Sequence, residues 1–157
     1  MRLELRPVSS GDMGFLRKLR NENREWFFDS RELTKQDQLK WFHRYVNDWW
    51  DVMFIISIDG TDIGTAALYG IDMNKKEAEV GRIIIAKDHR RKGYARTALK
   101  LLIDHGRQLF SIERFRLSFT LENMAAFNLY RKLGFSIIRE GDKWHGELQT
   151  GDRPPAD

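Results

Sequence analysis

Residues 80–106 decide the fold of this chain, and they read VGRIIIAKDHRRKGYARTALKLLIDHG. The stretch begins with the unbroken apolar run Ile83-Ile84-Ile85, which is typical of a strand buried on both faces. From Tyr94 onward, small and apolar residues recur at helical spacing along one stripe, made of Ala95, Ala98, Leu99, Leu102 and Gly106. A strand, a basic loop and an amphipathic helix therefore follow one another. Because ligands of open α/β sheets bind at the carboxyl ends of strands, we expect this β-loop-α unit over 80–110 to bind a ligand.

The elements on either side follow from capping, alternation and turn signals. Leu3 to Arg6 alternates up to Pro7 and predicts a first strand, and Asp59-Gly60 predicts a hairpin turn. Caps at Ser9 and Thr34, each followed three positions later by an aspartate, predict helices to about Arg20 and over 35–48. The second of these helices carries Leu39, Phe42 and Val46 at helical spacing. The other predicted elements are strands at 52–58, 63–69, 80–86 and 114–119, helices at 94–110 and 124–133, the latter capped by Asn123 and ended by Gly134, and two strands within 135–148. This order, β-α-α-β-β-β-α-β-α-β-β, predicts an α/β protein with a mixed sheet and helices on its faces.

Composition excludes several classes of protein. The 157 residues suit a single domain, which we place at 1–149, followed by a loose tail over 150–157. The absence of cysteine excludes disulfides, thiolate metal sites and a cysteine nucleophile, and the four histidines show no metal-ligand spacing. No apolar run approaches the roughly 20 residues of a membrane span, and the start lacks the apolar core of a signal peptide. We therefore expect a cytoplasmic protein without a metal and without a membrane partner.

The formal charge of +4 is concentrated in one part of the chain. Residues 87–116 contain nine basic and three acidic residues, which suggests an anionic ligand, either nucleic acid or a phosphorylated small molecule; the alternative is a solvated charged face. Within this patch, Arg90-Arg91-Lys92-Gly93-Tyr94-Ala95 leads from the strand into the helix. The first turn of a helix offers unpaired N–H groups and the positive end of the dipole. Gly93 permits close backbone approach and Ala95 is small, so the turn favours phosphate.

Two motifs in this region resemble those of the GCN5-related N-acetyltransferase (GNAT) family. Arg90-x-x-Gly93-x-Ala95 is similar to the Q/R-x-x-G-x-G/A signature, and 80–85 looks like the family's fourth strand. Asn123-x-x-Ala126-x-x-Leu129-Tyr130-x-x-Leu133-Gly134-Phe135 resembles the second motif. The motifs cover 79–135 at the family's separation, with one departure at Arg91, where many members have glycine. The resemblance implies a GNAT-type fold: a central, mostly antiparallel sheet whose fourth and fifth strands splay apart, flanked by helices.

The resemblance also implies acetyl-CoA as the acyl donor, which would account for the basic patch without nucleic acid. It assigns donor binding to Ile83, Ile84, Ile85, Arg90, Arg91, Lys92, Gly93, Tyr94, Ala95, Arg96, Asn123 and Tyr130. It places Tyr130 where the family's general acid lies. An alkyl ammonium must lose a proton before it attacks a thioester, and Glu79 is our candidate base, with Glu77 equally near. A backbone N–H of the fourth strand can serve as oxyanion donor, and without cysteine we expect direct transfer rather than an acyl-enzyme.

The resemblance implies a primary amine as the acceptor, and the sequence outlines the surroundings of this amine only in part. Residues 26–54 contain nine of the 19 aromatic residues, more than one buried stripe can hold, so some should line a cleft. Polar candidates nearby are Arg20, Asn21, Arg24 and Ser30. The stretch resembles the GNAT branch of ribosomal-protein N-terminal and nucleotide-amino-sugar acetyltransferases, and arginines beside aromatic rings favour a nucleotide-linked amino sugar over a peptide N-terminus. The alternatives are a CoA-binding module without turnover and a nucleic-acid binder, and we expect a monomer or homodimer.

Overall fold

The computed structural model of this protein describes residues 1–151. In this part of the chain seven strands form one sheet in the order β1-β2-β3-β4-β5-β7-β6. The strands are β1 (Leu3–Pro7), β2 (Val52–Ile58), β3 (Thr61–Asp72), β4 (Glu77–Ile85), β5 (Arg114–Thr120), β6 (Ser136–Glu140) and β7 (Lys143–Gln149). The helices are α1 (Met13–Glu22), α2 (Lys35–Val46), α3 (Tyr94–Phe110) and α4 (Met124–Lys132), with short 3-10 turns at Ser10–Asp12, Arg24–Trp26 and Lys87–His89. The predicted order of elements is confirmed.

The sheet is antiparallel except at one junction. Strands β4 and β5 run parallel, and they pair only over Glu77–Glu79 and Arg114–Arg116. Beyond this pairing β4 continues to Ile85 and β5 to Thr120, so the two strands splay apart. The predicted mostly antiparallel sheet with a splayed fourth and fifth strand is therefore confirmed. Each of the two strands presents an edge to the gap between them.

Two cores lie on opposite faces of the sheet, because successive side chains of a strand point to opposite sides. In β2, Phe54 and Ile56 join the larger core under α3, whereas Met53 and Ile55 join a smaller core under α1 and α2. Helix α3 packs closely on this larger core at Gly106, where a Cβ would lie 2.8 Å from Cε1 of Phe115. The predicted stripe of α3 is confirmed, and its burial holds the helix against the sheet after the loop that follows β4.

Helix α2 has the predicted extent but turns a different face to the sheet. Leu39 and Val46, two of the apolar residues at helical spacing, are 52% and 51% exposed. The face that packs inward carries Gln38, Trp41 and Tyr45 instead. Tyr45 is held there because its hydroxyl accepts the N–H of Met53 at 2.9 Å. A hydrogen bond to a β2 backbone group thus turns the aromatic side chains, rather than the aliphatic ones, toward the sheet.

The predicted tail does not begin at Thr150. This residue is 3% exposed, its N–H donates to the carbonyl of Glu113 at 2.7 Å, and its hydroxyl donates to the same oxygen at 3.0 Å. Thr150 is therefore fixed to the start of β5, and residues 152–157 lie outside the described residues. No helix within 1–151 has the length and apolar character needed to cross a membrane.

Candidate active site

Strand β4 contains an extra residue at the point where it leaves β5. In the ladder with β3, Thr65 lies opposite Ile84 and Ala67 lies opposite Gly81, so three steps along β4 match two along β3. Arg82 takes up the difference with a φ of +52°, in the left-handed region. The hydroxyl of Thr65 donates to the carbonyl of Arg82 at 2.7 Å and holds this bulge in place. The bulge therefore lies on the strand that borders the gap.

The side chain of Arg82 is fixed by charge and by aromatic rings. Its guanidinium forms two bonds to the carboxylate of Asp51, at 2.7 and 2.8 Å, and both side chains are largely shielded from solvent. It also lies 4.7 Å from the ring centre of Tyr69 and 5.7 Å from that of Trp41. This bidentate pair is already satisfied, so Arg82 shapes the wall beside the bulge rather than offering a free charge.

Tyr69 is a site residue that sequence reasoning missed. It lies opposite Glu79 in the β3–β4 ladder, and its ring occupies the space left by Gly81. A Cβ at Gly81 would lie 2.9 Å from Cε1 of Tyr69 and closer still to its hydroxyl. Burial raises the pKa of Tyr69, and the charge of Glu79 raises it further. Tyr69 and Glu79 thus meet beside the bulge, a contact that depends on strand register and left no signal in the sequence.

Tyr130 reaches the same region from the opposite face of the sheet. Its ring packs between Phe119 and Phe135, at centroid distances of 5.3 and 5.7 Å. Burial raises the pKa of its hydroxyl, and proximity to Tyr69 raises it further, so the hydroxyl stays protonated at neutral pH. It makes no hydrogen bond to any residue within 1–151. Tyr130 thus offers a proton without a competing protein acceptor.

The two candidate bases differ in their surroundings. Glu77 forms ion pairs with Arg114 and Arg116, at 3.6 and 3.3 Å. Glu79 is half-buried and, among the residues that the structure describes, has no ion-pair partner. Of the two carboxylates, Glu79 is therefore the one available to accept a proton.

The basic turn before α3 has the backbone expected of an anion site. Arg91 and Gly93 have φ values of +62° and +80°, so both lie in the left-handed region that curls successive N–H groups toward one side. Arg91 holds this conformation although it is not glycine. Space above Gly93 is open, because a Cβ at this position would meet no atom within 4 Å. Lys92 and Arg96 are exposed and, like Arg91, make no ion pair within 1–151.

Arg90 is turned away from this concavity. Its Nε donates to the carbonyl of Ile85 at 2.9 Å, and a terminal nitrogen donates to the side chain of Asn23, which follows α1. Its backbone N–H donates to the carbonyl of Lys87. The predicted phosphate contact through the Arg90 side chain thus competes with bonds that it already makes, and those bonds tie the turn to β4 and α1.

The far side of the gap contains a capped helix and an unpaired hydroxyl. Asn123 accepts the N–H of Ala126 at 3.1 Å, so its predicted role as the cap of α4 is confirmed. Thr120 ends β5 in the part of the strand that has left β4, and its Oγ1 is buried without a hydrogen-bond partner among the described residues. An orphaned hydroxyl beside the gap fits a bound molecule that supplies a polar atom there. The sequence held no sign of this residue.

A cavity of about 420 Å³ lies between α1, α2 and the bulge. Arg82 and Ile84 of β4 form its floor, and Arg20, Phe27 and Trp41 are among its walls. The expectation that aromatic residues line a cleft is thus confirmed for Phe27 and Trp41. The remaining predicted residues of this region do not reach the cavity: Asn21 binds the backbone of Leu33, Arg24 pairs with Glu32, Ser30 is exposed, and Trp49 and Trp50 are 83% and 47% exposed.

A second, more open cleft of about 780 Å³ runs along β5, β7 and β6 from Glu79. Its charged residues are Glu79, Arg116, Glu140, His145 and Glu147. His145 lies 2.9 Å from the hydroxyl of Ser118 and 3.5 Å from the carboxylate of Glu140. Glu79 thus borders this cleft beside the bulge. No group of three metal-ligating side chains occurs in the part of the chain that the structure describes.

Comparison with known proteins identifies the family. A family model, that of the acetyltransferase (GNAT) family, matches residues 16–135. The spermidine N(1)-acetyltransferase of Escherichia coli (strain K12) is 31% identical over 147 residues, which cover 91% of this chain and 76% of that protein. The spermidine N(1)-acetyltransferase of Vibrio cholerae is 30% identical over 145 residues, which cover 88% and 80%. The branch suggested by the sequence, with ribosomal-protein and amino-sugar acetyltransferases, stays a prediction.

Solved structures show the same fold. The crystal structure of spermidine N-acetyltransferase from Vibrio cholerae in complex with CoA and spermine has a TM-score of 0.84 at 24% identity, over 94% of this chain and 95% of that one. The family match includes β4 with its bulge, the basic turn and Tyr130. This chain therefore belongs to the acetyltransferase (GNAT) family and is an acetyl-CoA-dependent N-acetyltransferase.

Proposed function

We propose that this protein acetylates a primary amine by direct attack on acetyl-CoA within the gap between β4 and β5. The observation that carries the proposal is the β4 edge beyond Glu79, which has lost its strand partner and leads directly to the turn before α3. Acetyl-CoA supplies a thioester carbonyl, which an amine attacks readily. A free strand edge binds an extended chain through its main-chain groups, and a helix start binds phosphate.

The residues around the gap fit this donor. The backbone of Ile83 to Ile85 offers the edge for the pantetheine arm, and the turn from Arg91 to Arg96 offers N–H groups and free positive charge for the pyrophosphate. Thr120 adds an unpaired hydroxyl on the β5 side. Arg90 supports the turn through Ile85 and Asn23. The roles proposed for Tyr94, Ala95 and Asn123 in donor binding rest on the family resemblance.

Three groups of the chain share the proposed chemistry. Glu79 accepts, directly or through water, the proton that the ammonium form of the substrate loses before it attacks, and the nitrogen releases its second proton to solvent after the C–N bond forms. An N–H on the β4 edge donates to the carbonyl oxygen as negative charge develops on it. Tyr130 donates its proton to the sulfur as the C–S bond breaks, so the products are the N-acetylated amine and the CoA thiol. The proton on Glu79 then returns through solvent to the Tyr130 oxygen, and the enzyme is restored.

Two classes of acceptor have support. The relatives named as spermidine acetyltransferases support a polyamine, which could lie in the open cleft beside Glu79, Glu140 and Glu147. Arg20, beside the rings of Phe27 and Trp41, supports the second candidate, a nucleotide-linked amino sugar. A peptide N-terminus is the remaining alternative from the sequence.

Thermal unfolding and thiol release test the proposal together. We expect millimolar CoA to raise the Tm, and we expect acetyl-CoA to release free thiol with at least one amine among spermidine, UDP-glucosamine and peptides with varied first residues. A Tm that CoA does not change would contradict the donor site. A raised Tm without thiol release from any amine would indicate a CoA-binding module without turnover. Salt-dependent binding of DNA or RNA would favour the nucleic-acid alternative.

Assembly and location stay predictions. We expect a monomer or homodimer in the cytoplasm, whereas a solved spermidine N-acetyltransferase from Vibrio cholerae is dodecameric. Light scattering of the purified protein decides among these states, and a mass above that of a dimer would contradict the expectation.

A further inference from the structure

The cavity between α1, α2 and the bulge has an uneven charge. Five basic and two acidic side chains line it: Arg20, Arg31, Lys40, Arg44, Arg82, Asp29 and Asp37. Arg82 is paired with Asp51 and Arg31 with Asp29, which leaves Arg20, Lys40 and Arg44 as the cations without an ion pair among the described residues. Both carboxylates are already engaged. Asp29 accepts two bonds from Arg31, at 2.9 and 2.8 Å, and these bonds lower the pKa of Asp29 to about 2. Asp37 accepts the N–H of Thr34 at 2.9 Å. Asp29 is thus paired with a protein cation, and Asp37 belongs to the capping box at the start of α2.

Several of the basic groups, in contrast, have unused hydrogen-bonding capacity. The guanidinium of Arg20 lies 3.6 Å from the ring centre of Phe27, and one terminal nitrogen donates to the carbonyl of Asp29. Its other terminal nitrogen is buried without a partner among the described residues. Burial lowers the pKa of Arg20, although the charge of Asp29 acts in the opposite direction. Lys40 and Arg44, on α2, are exposed and make no ion pair within 1–151.

We propose, building on the proposed acetyl transfer, that the acceptor is a primary amine whose other end carries an anionic group, and that Arg20 and Arg44 bind this group. A guanidinium binds phosphate or carboxylate oxygens through paired hydrogen bonds, and a buried nitrogen without a partner gains most from such an oxygen. Because the same cavity extends to Arg82 and Ile84 at the bulge, an acceptor held by Arg20 places its amine end beside the gap. The volume of about 420 Å³ lies within the roughly 300–1,000 Å³ of small-molecule sites.

A polyamine is the wrong charge for this cavity. Its second ammonium group would lie near Arg20, Lys40 and Arg44, and Asp29, one of the two carboxylates in the lining, is already paired with Arg31. The cationic side chains of the cavity repel a dication and attract an anion, so the cavity selects against the first and for the second. The acceptor that this cavity favours therefore differs in charge from the spermidine for which the relatives are named.

A matched series of amines isolates the charge at the far end of the acceptor. The probes are 1,6-diaminohexane, hexylamine, 6-aminohexanoate and 6-aminohexyl phosphate, with spermidine for comparison. We expect kcat/KM to be roughly 10- to 100-fold higher for the anionic amines than for the diamine, with hexylamine between them. The ratio between the carboxylate and the phosphate then shows which anion the cavity prefers.

Two variants test the arginines, and a third is the control. Arg44→Gln removes an exposed side chain without an ion pair, so folding should be unaffected, and Arg20→Gln removes the buried nitrogen. Each should lower kcat/KM for the preferred anionic amine roughly tenfold more than it lowers kcat/KM for hexylamine. Lys18→Gln changes an exposed charge on the same helix as Arg20 and should alter neither value.

Binding is measured separately from turnover. Calorimetric titration of the CoA-saturated protein with the same amines should show the same order of affinity, because CoA blocks the donor site. A preference for the diamine or spermidine, equal affinity across the series, or unchanged values in Arg44→Gln and Arg20→Gln would overturn the charge inference. Absence of thiol release with the binding preference intact would instead contradict only the proposed acetyl transfer.

Discussion

Replacing Tyr130 by phenylalanine separates the proposed chemistry from packing. The ring keeps its contacts with Phe119 and Phe135, whose centroids lie 5.3 and 5.7 Å away. The hydroxyl has no hydrogen-bond partner within 1–151, so its removal leaves no protein group unpaired. We therefore expect the free energy of unfolding to change by less than about 1 kcal/mol.

The rate should respond very differently. Burial raises the pKa of Tyr130, which keeps the hydroxyl protonated as a donor at neutral pH. General acid catalysis contributes typically 10²–10⁴-fold, so Tyr130→Phe should lower kcat by about 100-fold or more, equivalent to about 2.7 kcal/mol in activation free energy. Thiol release at saturating acetyl-CoA and amine measures kcat, and urea unfolding measures stability.

Tyr45→Phe is the matched control, because we expect this variant to lose stability and to keep its kcat. The Tyr45 hydroxyl accepts the N–H of Met53, which the variant leaves without this partner. A loss of about 1–3 kcal/mol in stability with little change in kcat should follow. If Tyr130→Phe kept its kcat while Tyr45→Phe behaved as described, Tyr130 would have no part in the chemistry.

Two further predictions concern charged residues. Glu79→Gln should lower kcat most at low pH, where less of the amine is unprotonated unless a base removes its proton. Glu77→Gln removes a carboxylate that is ion-paired with Arg114 and Arg116, so it should not change the pH profile in this way. Parallel pH profiles of the Glu79 variant and the parent would point to another base. Arg6 lowers the pKa of Asp12, so Asp12 stabilises the fold above its ordinary pKa of about 4 and loses this effect as pH falls through the lowered value. Asp12→Asn should therefore be less stable than the parent at pH 7, with the difference shrinking toward pH 2; an equal difference at both pH values in urea unfolding would refute the assignment.

The sequence predicted most of the fold where local signals and packing agree. Helix α3 spans Tyr94–Phe110, as predicted from its apolar stripe, and Gly93 marks its start. In α2 the capping box predicted the start of the helix, but Leu39 and Val46, whose spacing suggested a buried face, are exposed. Helical spacing identifies a helix without telling which of two apolar faces is buried. That choice depended on a hydrogen bond from Met53 to Tyr45, between residues of different elements.

The candidate site likewise combines parts that the sequence predicted with parts that it did not predict. The turn around Gly93 is formed by neighbouring residues, so its motif could be found in the sequence. Tyr69 and Thr120 acquire their positions from strand pairing across an irregular ladder, which no local pattern encodes. The cavity at Arg20 likewise requires α1 and α2 to be placed against β4.

The extra residue in β4 keeps this strand from pairing regularly with β3. Without Ile83, Gly81 and Ile84 would still lie opposite Ala67 and Thr65, and the ladder would close one to one. Such a shortened strand would be free of the left-handed residue, whose backbone strain is on the order of 1–3 kcal/mol. The irregularity lies in the part of β4 that borders the gap, where we propose that acetyl transfer takes place. We therefore expect deletion of Ile83 to stabilise the strand and to lower turnover, because stability and activity place opposite demands on this backbone.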